Sequence, residues 1–144
     1  MNPRSALIRL QCELVAERTQ VNPFGISWLQ YDALLRLDRE RGMLPSELAV
    51  ILGISRTKLS KALKSLKVLG YVSQTPSSTD GRELCTSVTD HGRGLLDTIS
   101  RQHTTLYETA AQSMTSDELE TFARLSEKLS SRLEQQRIAR HDER

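Results

Sequence analysis

Apolar residues along the chain recur mostly at spacings of three and four, the mark of amphipathic helices. Between residues 4 and 19, Leu7, Ile8, Leu14 and Val15 share one side, and Asn22-Pro23-Phe24-Gly25 then ends the run with turn residues. Ser27 and Gln30 are spaced as a capping box, with Ile26 and Tyr31 as its hydrophobic staple. The helix started there carries Leu34 and Leu35 and is expected to stop near Gly42. Pro45 suits the first turn of a short helix bearing Glu47, Leu48, Ala49, Ile51 and Leu52, closed by Gly53. Ser55 is placed to cap a fourth helix, on which Leu59, Ala62, Leu63, Leu66 and Leu69 form one stripe before Gly70.

The pattern then changes. Residues 71–75 and 83–89 are rich in Val, Thr and Tyr, and Pro76-Ser77-Ser78-Thr79-Asp80-Gly81 separates them, which predicts a hairpin with a polar tip. From Asp90 a single long helix is expected, carrying Leu95, Leu96, Ile99, His103, Leu106 and Ala110. Thr115 and Glu118 form a second capping box, stapled by Met114 and Leu119, and open a last helix with Leu119, Phe122, Leu129 and Leu133. Only the end, from Ala139, reads as frayed. The expected fold is mainly α with a small β-hairpin.

Composition narrows the class. A chain of 144 residues with 38% hydrophobic and 26% charged residues is a globular domain able to bury a core. No apolar run approaches the roughly 20 residues of a spanning helix, and the N-terminus lacks the apolar core of a signal peptide, so a cytoplasmic protein without membrane partners is expected. Cys12 and Cys85 are far apart and imply no disulfide framework. Net charge is only +2, but its distribution is uneven. No Asp or Glu occurs from Leu48 to Thr79, where Arg56, Lys58, Lys61, Lys64 and Lys67 lie on the fourth helix. Like charges at such spacings repel, so a basic stripe without acidic answers is either a plainly solvated face or the mark of a polyanionic partner.

Ala49 and Gly53 allow a close helix crossing and a tight turn, after which Leu59 and Ala62 pack back onto the preceding helix. This is a helix-turn-helix, whose second helix lies in the DNA major groove. Opposite the leucines stand Thr57, Ser60, Lys61 and Lys64, flanked by Arg56, Lys58, Ser65 and Lys67. Short hydroxyls beside long cations suit phosphates and base edges. The hairpin fits a wing, with Arg82 placed to enter a minor groove and Asp80 to orient it.

The segment LPSELAVILGISRTKLSKALKSLKVLGYVSQTPSSTDGRELCTSVTDHGRGLL, residues 44–96, resembles the MarR family of winged-helix transcription regulators. The most specific match is Asp80-Gly81-Arg82, followed by Ser87-Val88-Thr89 and Gly92. One departure is Leu44, where many members carry a capping Ser or Thr. The resemblance implies a homodimer held by its terminal helices and bound to a pseudo-palindromic double-stranded operator. It divides the chain into an N-terminal dimerisation helix (1–25), a winged helix-turn-helix lobe (26–92) and C-terminal dimerisation helices (93–144). DNA contacts would come from Arg56, Thr57, Lys58, Ser60, Lys61, Lys64, Ser65 and Arg82. It further implies a repressor released by a small ligand or other signal; Trp28, Tyr31, His103 and Tyr107 are candidates to line the family's ligand pocket, with ordinary packing the plainer reading of each aromatic alone.

Rival readings are few. Peroxide-sensing members place a reactive cysteine on the first helix, which makes Cys12 a redox candidate; no tyrosine accompanies it on that helix, and its plain reading is a small buried hydrophobe. A winged-helix protein-interaction module would show apolar anchors where Thr57, Ser60, Lys61 and Lys64 stand. His91, His103 and His141 share no metal-ligand spacing, and no phosphate loop, nucleophile elbow or carboxylate pair occurs. No enzyme activity, metal or cofactor is expected.

Overall fold

Helix caps written in the sequence set most of the element boundaries. In a computed structural model of the chain, all residues are described except 1, 22, 24, 78–83, 103 and 144. The first helix, α1, runs Pro3–Gln20, with the Asn2 side chain accepting from the Ser5 amide at 2.8 Å. Both arms of the Ser27/Gln30 box are made at the start of α2, Trp28–Glu40. Its exit takes two left-handed residues, Arg41 (φ 57°) and Gly42 (φ 110°). Helix α3, Pro45–Leu52, has no side-chain cap from Leu44, but the Glu47 carboxylate still accepts the Leu44 amide at 3.2 Å. Ser55 caps α4, Arg56–Val68, by accepting from the Lys58 amide at 3.1 Å.

Strands β1 (Val72–Pro76) and β2 (Leu84–Val88) pair antiparallel, with Val72 opposite Val88 and Thr75 opposite Cys85. The sequence did not announce a third participant. Met43 bridges to Thr86 through two backbone hydrogen bonds of 3.0 and 2.8 Å, which ties the hairpin to the α2–α3 connection. The fully buried Thr86 hydroxyl accepts from Gln74 at 3.1 Å.

The expected long helix after Asp90 is two helices, α5 (Asp90–Gln102) and α6 (Thr105–Ser113). No Pro or Gly breaks it. The junction carries Thr104 and Thr105, whose branched side chains weaken helix propensity, and the Thr104 hydroxyl bonds forward to Glu108 at 2.9 Å. The last helix, α7, spans Ser116–Asp142 and does not fray at Ala139. Its final turn carries Arg140 and His141, which complement the negative end of the helix dipole.

Leu34, Leu37, Leu48, Leu59, Leu66 and Ile99 are fully buried and, with Val72, Val88 and Leu96, form one core among α2–α5 and the hairpin. Two leucines of the stripes expected on α2 and α4 lie outside it. Leu35 sits off the buried face of α2, and α4 ends before Leu69, which leaves both exposed. Helices α1, α6 and α7 bury no residue completely.

Candidate nucleic-acid interface

The turn between α3 and α4 is built as the sequence predicts. Ala49 is buried, Gly53 turns at φ 70°, and the Ile54 amide donates back to the Ala49 carbonyl at 3.0 Å. This locks α4 across α3, with Leu59, Ala62, Leu63 and Leu66 facing the core. The opposite face carries Arg56, Thr57, Lys58, Ser60, Lys61, Lys64 and Ser65, all exposed. Among the described residues, no carboxylate pairs with Lys58, Lys61 or Lys64. Lys67 reaches the Gln74 amide oxygen of β1 at 3.5 Å, so the base of the hairpin and the end of α4 are joined. The face therefore presents hydroxyls and cations with neither apolar anchors nor counter-charges at its centre, the chemistry of a phosphate-and-base reader.

The hairpin's foot is fixed more firmly than its sequence indicates. The Thr89 hydroxyl donates to the Gly70 carbonyl at 2.6 Å and accepts the Gly92 amide at 3.1 Å, so it caps α5 and closes the β1–β2 unit together. Gly92 is required by space: a Cβ there would stand 2.3 Å from the Tyr71 carbonyl oxygen. Arg93 donates to the Val88 carbonyl at 3.3 Å and pairs with Asp90. The tip residues Asp80 and Arg82 lie outside the described residues.

The aromatic candidates are placed differently from one another. Trp28 donates to the carbonyls of Arg18 (2.7 Å) and Val21 (2.9 Å), and Tyr31 meets its ring edge-on at 5.4 Å. Arg18 lies over the Trp28 ring at 4.7 Å and forms a two-pronged bond to Asp32, both contacts at 2.8 Å. That bond raises the guanidinium pKa, while burial, then the Asp32 charge, raises the Tyr31 phenol. Trp28 and Tyr31 thus clamp α1 onto α2. Tyr107 is 66% exposed on α6, and His103 lies outside the described residues. A cavity of about 460 Å³ between α2, β2 and the start of α5 is lined by Leu37, Asp38, Arg41, Ser87, Val88 and Arg93, and by none of these aromatics. Cys12 is exposed on α1, so within one chain it is not the buried hydrophobe expected.

Sequence reasoning missed how α7 returns to the lobe. Arg36 pairs with Glu134 at 2.8 Å, Arg39 approaches Glu127 at 3.8 Å, and the Arg137 guanidinium donates through Nε to the Ile51 carbonyl at 2.9 Å. Partners 86 to 98 residues apart share no local signal.

Comparison with known proteins agrees with this geometry. The sequence model of the MarR family matches residues 24–83. The transcriptional repressor MprA of Escherichia coli K12 is 30% identical over 134 residues, covering 89% of this chain and 74% of MprA. The chain belongs to the MarR family. E. coli PapX, an HTH-type transcriptional regulator, is 28% identical over 97 residues; that match spans 67% of this chain but 59% of PapX. A MarR crystal structure superposes with a TM-score of 0.79 at 20% identity, covering 96% of this chain and 95% of its own. A mutant E. coli MarR solved with operator DNA gives 0.63 at 22% identity, covering 90% and 99%. At these identities the structures establish the MarR fold, mainly helical with a two-stranded wing. Among the described residues no helix is long and apolar enough to cross a membrane, and no group of three or more His, Cys, Asp or Glu could hold a metal.

Proposed function

We propose that this MarR-family protein is a homodimeric, sequence-specific regulator of transcription that binds a pseudo-palindromic double-stranded operator from the cytoplasm. The observation that carries the reading is the exposed face of α4, where Lys58, Lys61 and Lys64 have no acidic partner among the described residues. Residues 26–92 are the DNA-binding lobe; 1–25 and 93–144 are the dimerisation elements. Arg56, Thr57, Lys58, Ser60, Lys61, Lys64 and Ser65 contact DNA from α4, and Arg82, oriented by Asp80, contacts it from the wing. The protein is a repressor, the role printed for MprA, and a small molecule releases it.

The decisive experiment is selection of duplexes from a random pool with the full-length protein. A pseudo-palindromic consensus is expected, and transcription from a promoter carrying it should fall when the protein is present. Recovery of no enriched sequence by a folded protein would overturn the reading. The redox alternative has an exposed free thiol in Cys12, but α1 carries no tyrosine beside it.

A further inference from the structure

The last two turns of α7 converge on the front of the recognition helix. A cleft of about 860 Å³ is lined on one side by Gly53, Ile54, Ser55 and Arg56, and on the other by Arg137, Arg140 and His141. Arg137 is anchored: its Nε bond to the Ile51 carbonyl uses one edge of the guanidinium, and its Cδ lies 3.4 Å from where a Gly53 Cβ would stand. Gly53 thus leaves room for the arginine to lie across the helix-turn-helix turn. The other edge of the fork keeps its donors, and Arg140 forms no ion pair with a described residue. Asp142 and Glu47 line a neighbouring cleft that shares Ser46, Val50 and His141 with this one, and neither carboxylate lines the cleft that Arg137 and Arg140 form with Ser55 and Arg56.

We propose that the C-terminal end of α7 is a second DNA-backbone contact, in which Arg140 and the anchored Arg137 bind phosphate beside the groove entered by α4. This deepens the DNA-binding reading and rests on it. A recognition helix enters the major groove by its N-terminal residues, which brings the phosphates bordering that groove close to the α3–α4 turn. Cations fixed at that turn therefore meet the backbone without reading sequence. The cleft is open, which suits a long polyanion. The anchoring of Arg137 also lowers the ordering cost of its contact, since its side chain is already held.

The test is the salt dependence of affinity, with the full-length protein on a mixed-sequence duplex. Each lost phosphate contact flattens the slope of log K against log salt by about 0.9. Arg140→Ala removes the contact from both protomers of the dimer, so the slope should flatten by about 1.8, equivalent to a roughly 12-fold smaller affinity loss per fourfold rise in salt. Arg140→Lys should keep the wild-type slope, and sedimentation should show both variants assembled as the wild type is. An unchanged slope in Arg140→Ala, or a change traceable wholly to altered assembly, would overturn the proposal. Lys61→Ala measured alongside separates the two ideas. If it flattens the slope while Arg140→Ala does not, only the α7 contact fails; if the wild type binds no duplex, the DNA reading fails with it.

Discussion

Lys61 and Lys64 stand one turn apart on α4, with Leu59, Ala62, Leu63 and Leu66 holding the other side in the core. Their charges contribute nothing to packing, so the double substitution Lys61→Ala/Lys64→Ala is expected to leave the unfolding free energy within about 0.5 kcal/mol of wild type. Operator affinity should fall, with the salt slope flattened by about 0.9 per phosphate contact. Retention of full affinity by the folded double mutant would remove α4 as the reader. Arg82→Ala should also weaken binding, most on operators with A·T-rich flanks, where a narrow minor groove attracts arginine; equal losses on all flanks would make Arg82 an ordinary phosphate contact. Gly92 makes the opposite case, a residue silent in DNA contact but decisive in space. A methyl 2.3 Å from the Tyr71 carbonyl oxygen cannot be accommodated by moving a flexible side chain. Gly92→Ala should cost about 1–3 kcal/mol in denaturant unfolding, and a neutral result would mean the α5 start can shift freely.

Capping explains why so much of the element order is legible in the sequence. Ser27/Gln30, Ser55 and Thr115/Glu118 each satisfy helix-start amides by local hydrogen bonds, and local chemistry is visible in local sequence. Where boundaries differ from the sequence pattern, the controlling interactions are weak or distant. The α5–α6 break has no Pro or Gly to mark it, and α7 persists past Ala139 while its terminal turns lie against the turn between α3 and α4. The clamp of Trp28, Tyr31, Arg18 and Asp32 was equally hidden, since four separate side chains must converge before the aromatics read as structural. The Thr115 box allows a test at this scale. Thr115→Ala should cost about 1 kcal/mol and reduce protection of the first turn of α7 from hydrogen exchange. The backbone amide of Thr115, first among causes, holds the Glu118 carboxyl below its ordinary value of 4.5. A lowered folded pKa contributes stability above the unfolded value that is lost as pH falls through the folded one. Fraying of α7 should therefore set in around the ordinary carboxyl value of 4.5 and grow as pH falls below it. Fraying that began nearer neutrality would assign the cap to another group.

At the level of the molecule, the apolar surface is divided unevenly. The lobe closes over its own leucines, but α1 leaves Leu7, Ile8, Leu14 and Val15 between 39% and 61% exposed. Along α7, Phe122, Leu125, Leu129 and Leu133 are each 43–47% exposed, and Leu106 and Tyr107 on α6 reach 60% and 66%. The polar ties of α7 to its own lobe, Arg36–Glu134 and Arg137 to the Ile51 carbonyl, leave that stripe uncovered. Soluble monomers rarely leave so many large apolar side chains exposed along their terminal helices. An isologous two-fold contact would bury both copies at once and would set the two α4 helices about one DNA turn apart, ~34–36 Å. The expected species at micromolar concentration is a dimer. Phe122→Glu with Leu129→Glu would place unpaired charges in the contact, a cost of about 3 kcal/mol or more, so dissociation should rise at least about 100-fold. Specific operator binding should then fall more than non-specific binding, because one lobe retains its phosphate contacts but loses the second half-site. A wild-type monomer that bound its operator tightly, or a charge variant that kept both dimer and operator affinity, would rule out this arrangement.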